Sequence, residues 1–421
     1  MGEQLELTVG PVAHGGHCVA RTDDGQVVFV RHTLPGEQIV AEVTETGRSF
    51  LRADCVQVLR ASADRVPAPC PYAGPGRCGG CDFQHVSPGG QRRLLGSVVA
   101  EQLQRLAGLD VEVEVEPVPG DRDGLGWRTR VRYVADAEGR LGLRRHRSHT
   151  VVPVDRCLIA ADGFADAPTH TWPGTASVEA VWSGSHERLV VVEPKGPLPP
   201  RLPRIGLDGA VTSAGERLRG RTYATERAVG RDWRVAAAGF WQVHPGAADT
   251  MVAAVLQYLR PQPGERAVDL YSGVGLFSAA LAEAVGPGGS VLAVEGTARA
   301  AKDARRNLHD LPQVRIETES VERSLRREDG AADVVVLDPP RTGARAEVVS
   351  AVVALRPRAV AYVACDPAAL ARDVATFATQ GYELTGLRAF ALFPMTHHVE
   401  CVALLEPRAR HPVDAVQGGP R

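Results

Sequence analysis

A cysteine at the end of one strand pattern and an acid at the start of another could act as a nucleophile and a base. Cys365 closes the apolar run Tyr362-Val363-Ala364 and is followed by Asp366-Pro367 and a helical stretch. A thiol just ahead of a helix N-terminus is expected to ionise more readily. A lone cysteine is more often a small buried hydrophobe, but ligands of α/β sheets sit at the carboxyl ends of strands, which favours the nucleophile here. Glu400 opens the last strand pattern, His397-His398-Val399-Glu400-Cys401. Alternation puts Glu400 and Cys401 on opposite faces, with Cys401 inside. Taken alone, Glu400 reads as a paired surface acid. Taken together, the two residues fit a defined reaction. Carbon 5 of uracil attacks a methyl donor only after a thiolate has added to carbon 6, and a base must then remove the carbon-5 proton to release the thiolate.

The elements around these residues alternate from about Trp233 onward. Strand patterns ERAVDLY, SVLAVEG, ADVVVLDPP, AVAYVACD, LTGLRAFALF and HVECVALLE are separated by helical patterns such as LFSAALAEAV and PAALARDVATFATQ. Such alternation predicts an open, mostly parallel α/β sheet. The first strand runs through Asp269 into Tyr271-Ser272-Gly273-Val274-Gly275, where two glycines let backbone approach a ligand. Phe277 and Ser278 occupy the last two places of a dinucleotide fingerprint, so a pyrophosphate is disfavoured. An acid ahead of Gly-x-Gly suits a cofactor with a positively charged amino-acid moiety, and Glu295 at the end of the second strand can accept ribose hydroxyls. Spacing alone leaves S-adenosylmethionine, a nicotinamide cofactor and no ligand all open. Asp338, in Leu337-Asp338-Pro339-Pro340-Arg341-Thr342-Gly343, would face the same crevice.

Upstream, residues 1–60 hold five short strand patterns with Gly, Asp and Pro turns, which predicts an OB-type β-barrel. This segment has five arginines and eight acids, so its overall charge does not support nucleic-acid binding. Residues 61–234 read as a β-rich central domain that includes a helical pattern over 91–108, whose apolar face could pack on the catalytic part. Cys70, Cys78, Cys81 and the distant Cys157 could hold an iron–sulfur cluster or zinc; a single C-x-x-C pair favours the cluster modestly. Arg128, Arg130, Arg132, Arg140, Arg144, Arg145 and Arg147 outnumber Asp136 and Glu138 nearby. Alternating arginines would line one strand face and follow an RNA backbone, with Trp127, Tyr133 and His146 as stacking surfaces. A solvated charged face is the alternative.

The 421 residues carry 48 basic and 50 acidic side chains, a formal charge of −2. Total charge does not decide the partner, since binding depends on local surface. Only Lys195 and Lys302 are lysines, which GC-rich coding explains more simply than function does. No apolar run is long enough to span a membrane and the N-terminus lacks a secretion pattern, so a cytoplasmic protein with reduced or metal-bound cysteines is expected.

The motifs DLYSGVG, LDPPRTG, YVACDPAALARD and HHVECVALL resemble those of the RNA uracil-5-methyltransferases (TrmA/RumA type) over roughly residues 235–406. The resemblance implies a class I methyltransferase sheet over residues 235–408 that uses S-adenosylmethionine. In it Cys365 is the nucleophile and Glu400 the proton acceptor, and Gln242 (from Phe240-Trp241-Gln242), Tyr271, Glu295 and Asp338 contact the cofactor. Members of the family that act on ribosomal RNA carry an N-terminal TRAM barrel and a four-iron cluster. Residues 1–60 and Cys70, Cys78, Cys81 and Cys157 resemble that arrangement, although the first gap has seven residues where five are usual. Structured RNA is the implied partner, ribosomal rather than transfer RNA, and the protein is expected to be monomeric. Residues 409–421 are expected to be disordered.

Overall fold

The computed structural model describes residues 2–196, 200–328 and 330–409. Of the tail over 409–421, all but Ala409 lies outside the described residues.

The N-terminal strands are β1 (Gln4–Thr8), β2 (Cys18–Arg21), β3 (Val27–Arg31), β4 (Gln38–Thr46) and β5 (Phe50–Arg60), in sheet order β1-β4-β5-β3-β2. Alternate residues such as Leu7, Val28, Val30, Ile39 and Ala41 point inward and are buried. Helix α1 (Pro88–Ala107) follows, its first turn capped by the Ser87 side chain and its end closed by left-handed Gly108. Its apolar face (Leu94, Leu95, Val98, Val99, Leu103) joins the barrel core to the catalytic core in one continuous apolar cluster. A short strand, β6 (Val115–Glu116), comes next.

The central sheet contains β7 (Arg130–Ala135), β8 (Leu141–Arg144), β9 (Val151–Pro153), β10 (Thr175–Trp182), β11 (Arg188–Pro194), β12 (Gly209–Thr212) and β13 (Arg217–Gly220), in order β13-β12-β11-β10-β7-β8-β9. A hairpin of β14 (Tyr223–Ala228) and β15 (Arg231–Ala236) leads into helix α2 (Ala247–Leu259).

The catalytic sheet is built from β16 (Arg266–Leu270), β17 (Ser290–Val294), β18 (Val314–Glu317), β19 (Val334–Leu337), β20 (Ala359–Ala364), β21 (Tyr382–Phe390) and β22 (Glu400–Pro407), with β6 added at one edge. Its order is β18-β17-β16-β19-β20-β22-β21-β6. Strands β16 to β20 are parallel to their neighbours, while β22 runs antiparallel to both β20 and β21. Helices α3 (Leu276–Val285), α4 (Ala298–Asn307), α5 (Val321–Leu325), α6 (Arg345–Ala354) and α7 (Pro367–Thr379) complete this region. The run Val334-Val335-Val336-Leu337 shows why both faces are covered. Val335 and Leu337 pack into one core with α6 and α7, and Val334 and Val336 into another with α2 and α3.

Candidate active site

Asp338, Cys365 and Glu400 meet at one edge of this sheet. Strands β19, β20 and β22 are neighbours, with Leu337 paired to Tyr362 and Ala364 to Cys401. The next residue on each strand therefore falls at the same edge: Asp338 and Cys365 follow β19 and β20, and Glu400 begins antiparallel β22. Glu400 is only 4% exposed and has no hydrogen bond or ion pair among the described residues. Burial and the neighbouring Asp338 push its carboxyl well above the usual range, opposed by Arg341. Burial likewise raises Asp338.

The thiol behaves differently from the sequence expectation. Burial, then Glu400 and Asp338, push Cys365 up to about 11, so it is protonated at neutral pH in this state. Asp366, which caps α7 by accepting from the Ala369 amide at 2.8 Å, is a further acid raising the thiol. Desolvation and these acids outweigh the helix field. Arg341 is the cation that opposes the shift at both Cys365 and Glu400. Nothing in the sequence singles it out, since one more exposed arginine in this chain carries no signal.

The proposed cofactor residues line the turns after β16 and β17. Asp269 is fully buried; one carboxylate oxygen accepts from the Ser278 hydroxyl at 2.5 Å and the other has no partner. Burial and the charges of Asp338 and Glu295 push it up to about 7, with Ser278 opposing. Tyr271 holds a left-handed φ of 64°, a strained state for a tyrosine and common where a turn is shaped for a ligand. Glu295 accepts from the Gly273 amide at 2.9 Å and the Thr297 amide at 2.6 Å, which fixes the turn. The two glycines have different reasons for being glycine. At Gly273 a side chain would meet open space, whereas at Gly275 a Cβ would come 2.6 Å from Leu308. Gln242 is half-buried between buried Trp241 and Val243, whose carbonyl accepts from the Thr129 amide at 2.8 Å. Phe240, two residues earlier, is 72% exposed.

Cys70, Cys78 and Cys81 lie in the loop before α1, and Cys157 in the loop after β9. Each sulfur lies within electrostatic reach of others in the set: Cys157 and Cys70 both raise Cys78, and all three raise Cys81. Burial is the larger cause in each case, taking Cys78 up to about 11. Amide donors already face two sulfurs, Gly80 N to Cys78 and Gln84 Nε2 to Cys81, both at 3.4 Å. The long first gap folds back on itself through Cys78 N to Tyr72 O at 3.0 Å, and the Tyr72 hydroxyl reaches Asp155 at 2.8 Å. Among the described residues, no group of three His, Cys, Asp or Glu is close enough to hold a metal ion. Cys18 and Cys55 are buried in the barrel, and Cys401 is buried behind Glu400.

The arginine stretch does not form the strand face its spacing suggested. Arg130 is 6% exposed, bonded to the Ala237 and Gly239 carbonyls and facing Glu179 and Glu226. Arg132 is held by Ser177 and Glu193, and Arg140 by Asp136 and Glu138. Trp127 and Tyr133 are completely buried and cannot stack on a base. The spacing failed because the two arginines meet different partners: acids of β10 and β14 enclose Arg130 at the start of β7, whereas Arg132 stays exposed but is paired to Glu193. Arg128 is half-buried, its Nε donating to the Arg130 carbonyl at 3.0 Å, while Arg144, Arg145, His146 and Arg147 are exposed. Arg145, His146 and Arg147 face Phe29, Arg31 and Arg52 of the barrel and Arg77 of the cysteine loop across a cavity of about 210 Å³.

Comparison with known proteins agrees with this layout. A TRAM domain model matches residues 1–56 and a tRNA (uracil-5-)-methyltransferase model matches residues 227–408. The crystal structure of a Pyrococcus abyssi tRNA (uracil-54, C5)-methyltransferase with S-adenosyl-L-homocysteine has a TM-score of 0.72 at 23% identity, over 95% of this chain and 100% of that one. That likeness shows the fold, a class I methyltransferase fold. An uncharacterised RNA methyltransferase of Streptomyces avermitilis is 54% identical over 97% of this chain and 100% of its own length. A 23S rRNA (uracil(1939)-C(5))-methyltransferase, RlmD, of Shewanella sp. (strain ANA-3) is 31% identical over 96% of each chain. The chain belongs to the RNA uracil-5-methyltransferase family.

Proposed function

We propose that this protein methylates carbon 5 of a uridine in RNA, ribosomal rather than transfer RNA, with Cys365 as nucleophile and Glu400 as base. The observation that carries the reading is a buried, unpaired carboxylate beside a thiol at adjacent strand ends, with Asp338 next to both. The Shewanella relative is named for a ribosomal uracil, which favours ribosomal RNA. The Pyrococcus structure is of a transfer-RNA enzyme and supports the rival substrate.

S-adenosylmethionine supplies the methyl group and a sulfonium charge, and a positive charge beside Asp338 and Cys365 favours their ionised forms. Asp269 fits its ammonium group, because one buried oxygen lacks a donor. Glu295 fits the ribose hydroxyls, Gly273 leaves room for close approach, and Gln242 and Tyr271 complete the cradle. Cys365 gives its thiol proton to solvent and the thiolate adds to carbon 6 of the uracil, leaving the electron pair on the ring as an enolate; carbon 5 then takes the methyl group and S-adenosylhomocysteine leaves. Glu400 then accepts the carbon-5 proton and the sulfur departs.

Cys70, Cys78, Cys81 and Cys157 would hold a [4Fe–4S] cluster, with zinc as the alternative metal. Burial and the neighbouring sulfurs raise the Cys78, Cys81 and Cys157 thiols, a bound metal would favour their thiolate forms, and amide donors already face two of the sulfurs. Its contribution would be structural, tying the loop before α1 to the segment after β9, since methylation needs no electrons. Arg145 and His146, exposed beside the barrel, would offer RNA phosphate and stacking contacts, and exposed Phe240 a further stacking surface. No helix among the described residues is long and apolar enough to cross a membrane.

Mapping 5-methyluridine after incubation with S-adenosylmethionine and unmodified ribosomal or transfer RNA tests the reading. Label in ribosomal RNA supports it, label only in transfer RNA refutes the ribosomal choice, and label in neither refutes the activity.

A further inference from the structure

Glu400 is delivered by residues 391–399, a segment between β21 and β22 with no regular structure of its own. Within it Met395 holds a left-handed φ of 67°, which an unbranched side chain adopts only when its surroundings impose it. Those surroundings come from the loop that carries the cysteines. The amides of Asp82 and Phe83 both donate to the Met395 carbonyl, at 2.9 and 3.0 Å. The Gln91 side chain accepts from the Met395 amide at 2.8 Å. Asp82, only 8% exposed, also accepts from His397 twice, from the ring Nδ1 at 2.6 Å and the backbone amide at 3.2 Å.

Asp82 faces the barrel as well. Arg31 of β3 approaches its other oxygen at 3.4 Å. Gly16 of the barrel sits so close that a Cβ there would lie 2.7 Å from His397 and 3.1 Å from Asp82. One carboxylate thus touches the barrel, follows Cys81 in the chain, and holds a residue three places before Glu400.

We infer that Asp82 is the positioning residue for Glu400: its bonds to His397 set the loop that places the base, so proton removal depends on the cysteine loop and barrel being seated. The inference rests on the reading of Glu400 as the base. It assigns Asp82 to the second half of the reaction only, because Cys365 stands at the junction of β20 and α7, which the Asp82 bonds do not touch and which the barrel reaches separately, through His14 and Asp366. Methyl transfer into the covalent intermediate should therefore be nearly normal without Asp82, while breakdown of that intermediate slows.

The test uses the full-length protein and an unmodified RNA that the wild type methylates. Covalent protein–RNA adduct is followed on denaturing gels for wild type, Asp82→Ala, His397→Ala, the double variant and Glu400→Gln. Asp82→Ala and His397→Ala should each slow adduct breakdown roughly 10- to 100-fold, the cost of a small misplacement of a catalytic group. The rate of adduct formation and the visible absorbance of the protein should stay near wild type. The double variant should be no slower than either single one, since both remove the same interaction. A parallel fall in adduct formation and breakdown, or wild-type breakdown in both single variants, would overturn the inference while leaving Glu400 as the base. Absence of adduct in Glu400→Gln would overturn both.

Discussion

His14, in a turn of the barrel, lies 3.2 Å from Asp366, the residue that follows Cys365 and caps the helix behind it. The barrel therefore touches the catalytic edge directly, in addition to the core that α1 shares with it. The acidic N-terminal barrel read from the sequence is thus in contact with the wall of the site.

This ion pair predicts a pH dependence. The hydrogen bond to Asp366 raises the His14 pKa above 6.5, and the same bond holds Asp366 below 3.8 despite its burial. The pair's stabilisation is complete below the pKa of an unfolded histidine and disappears as pH climbs through the raised value; it also disappears in acid as Asp366 protonates. Because His14 is partly exposed, the effect should be small, ~0.2–1 kcal/mol. His14→Gln should lower the melting temperature at about pH 6 and leave it unchanged at about pH 9. Equal losses at both pH values would show that packing, not charge, holds the turn.

The buried thiol gives a second expectation. With Cys365 pushed up to about 11, alkylation by iodoacetamide should be slow at neutral pH and climb toward that value. Adding S-adenosylmethionine should accelerate it if a positive charge seats beside Asp338, or block it by occlusion; a reaction already fast and flat across neutral pH would contradict the electrostatics described.

The two glycines after β16 should separate fold from ligand. Gly275→Ala must accept both a left-handed φ of 96° and a collision with Leu308, and should cost on the order of 2–4 kcal/mol of stability. Gly273→Ala meets only the backbone cost, about 1–2 kcal/mol, and should weaken S-adenosylmethionine binding more than it lowers the melting temperature. Calorimetry on both variants distinguishes the two effects.

Not every arginine should matter to RNA. Replacing Arg145 by Ala should weaken RNA binding and flatten its salt dependence by about 0.7–0.9 for each phosphate no longer neutralised, whereas Arg147, 3.7 Å from Glu45, should matter less. Arg132→Ala should leave that dependence unchanged, because Arg132 is already held by Glu193 and Ser177.

Which of these features could be read in the sequence follows from how local their causes are. Turn glycines and period-two patterns marked all five barrel strands, and apolar runs marked β16, β17, β19, β20, β21 and β22. Strand β18, the helix α2 and the two-residue β6 escaped notice: β18 is a half-exposed edge strand, and β6 exists only because β21 offers it a partner. The positions of Asp269, Asp338, Cys365 and Glu400 were legible because strand ends in a parallel sheet share one edge. Arg130, Trp127 and Tyr133 were misjudged because their burial comes from tertiary packing: Glu179 of β10 and Glu226 of the hairpin face Arg130, and Trp127 and Tyr133 lie in the core. The bond from Asp82 to His397 spans more than three hundred residues and leaves no mark on local pattern.

The most direct test of the central claim is the fate of the covalent intermediate in Glu400→Gln. Incubated with RNA and S-adenosylmethionine, this variant should transfer the methyl group and then stall, accumulating a protein–RNA adduct that carries the methyl on uracil and is absent in Cys365→Ala. Normal turnover by Glu400→Gln, or methylation without adduct in Cys365→Ala, would contradict the assignment of Cys365 and Glu400 as nucleophile and base.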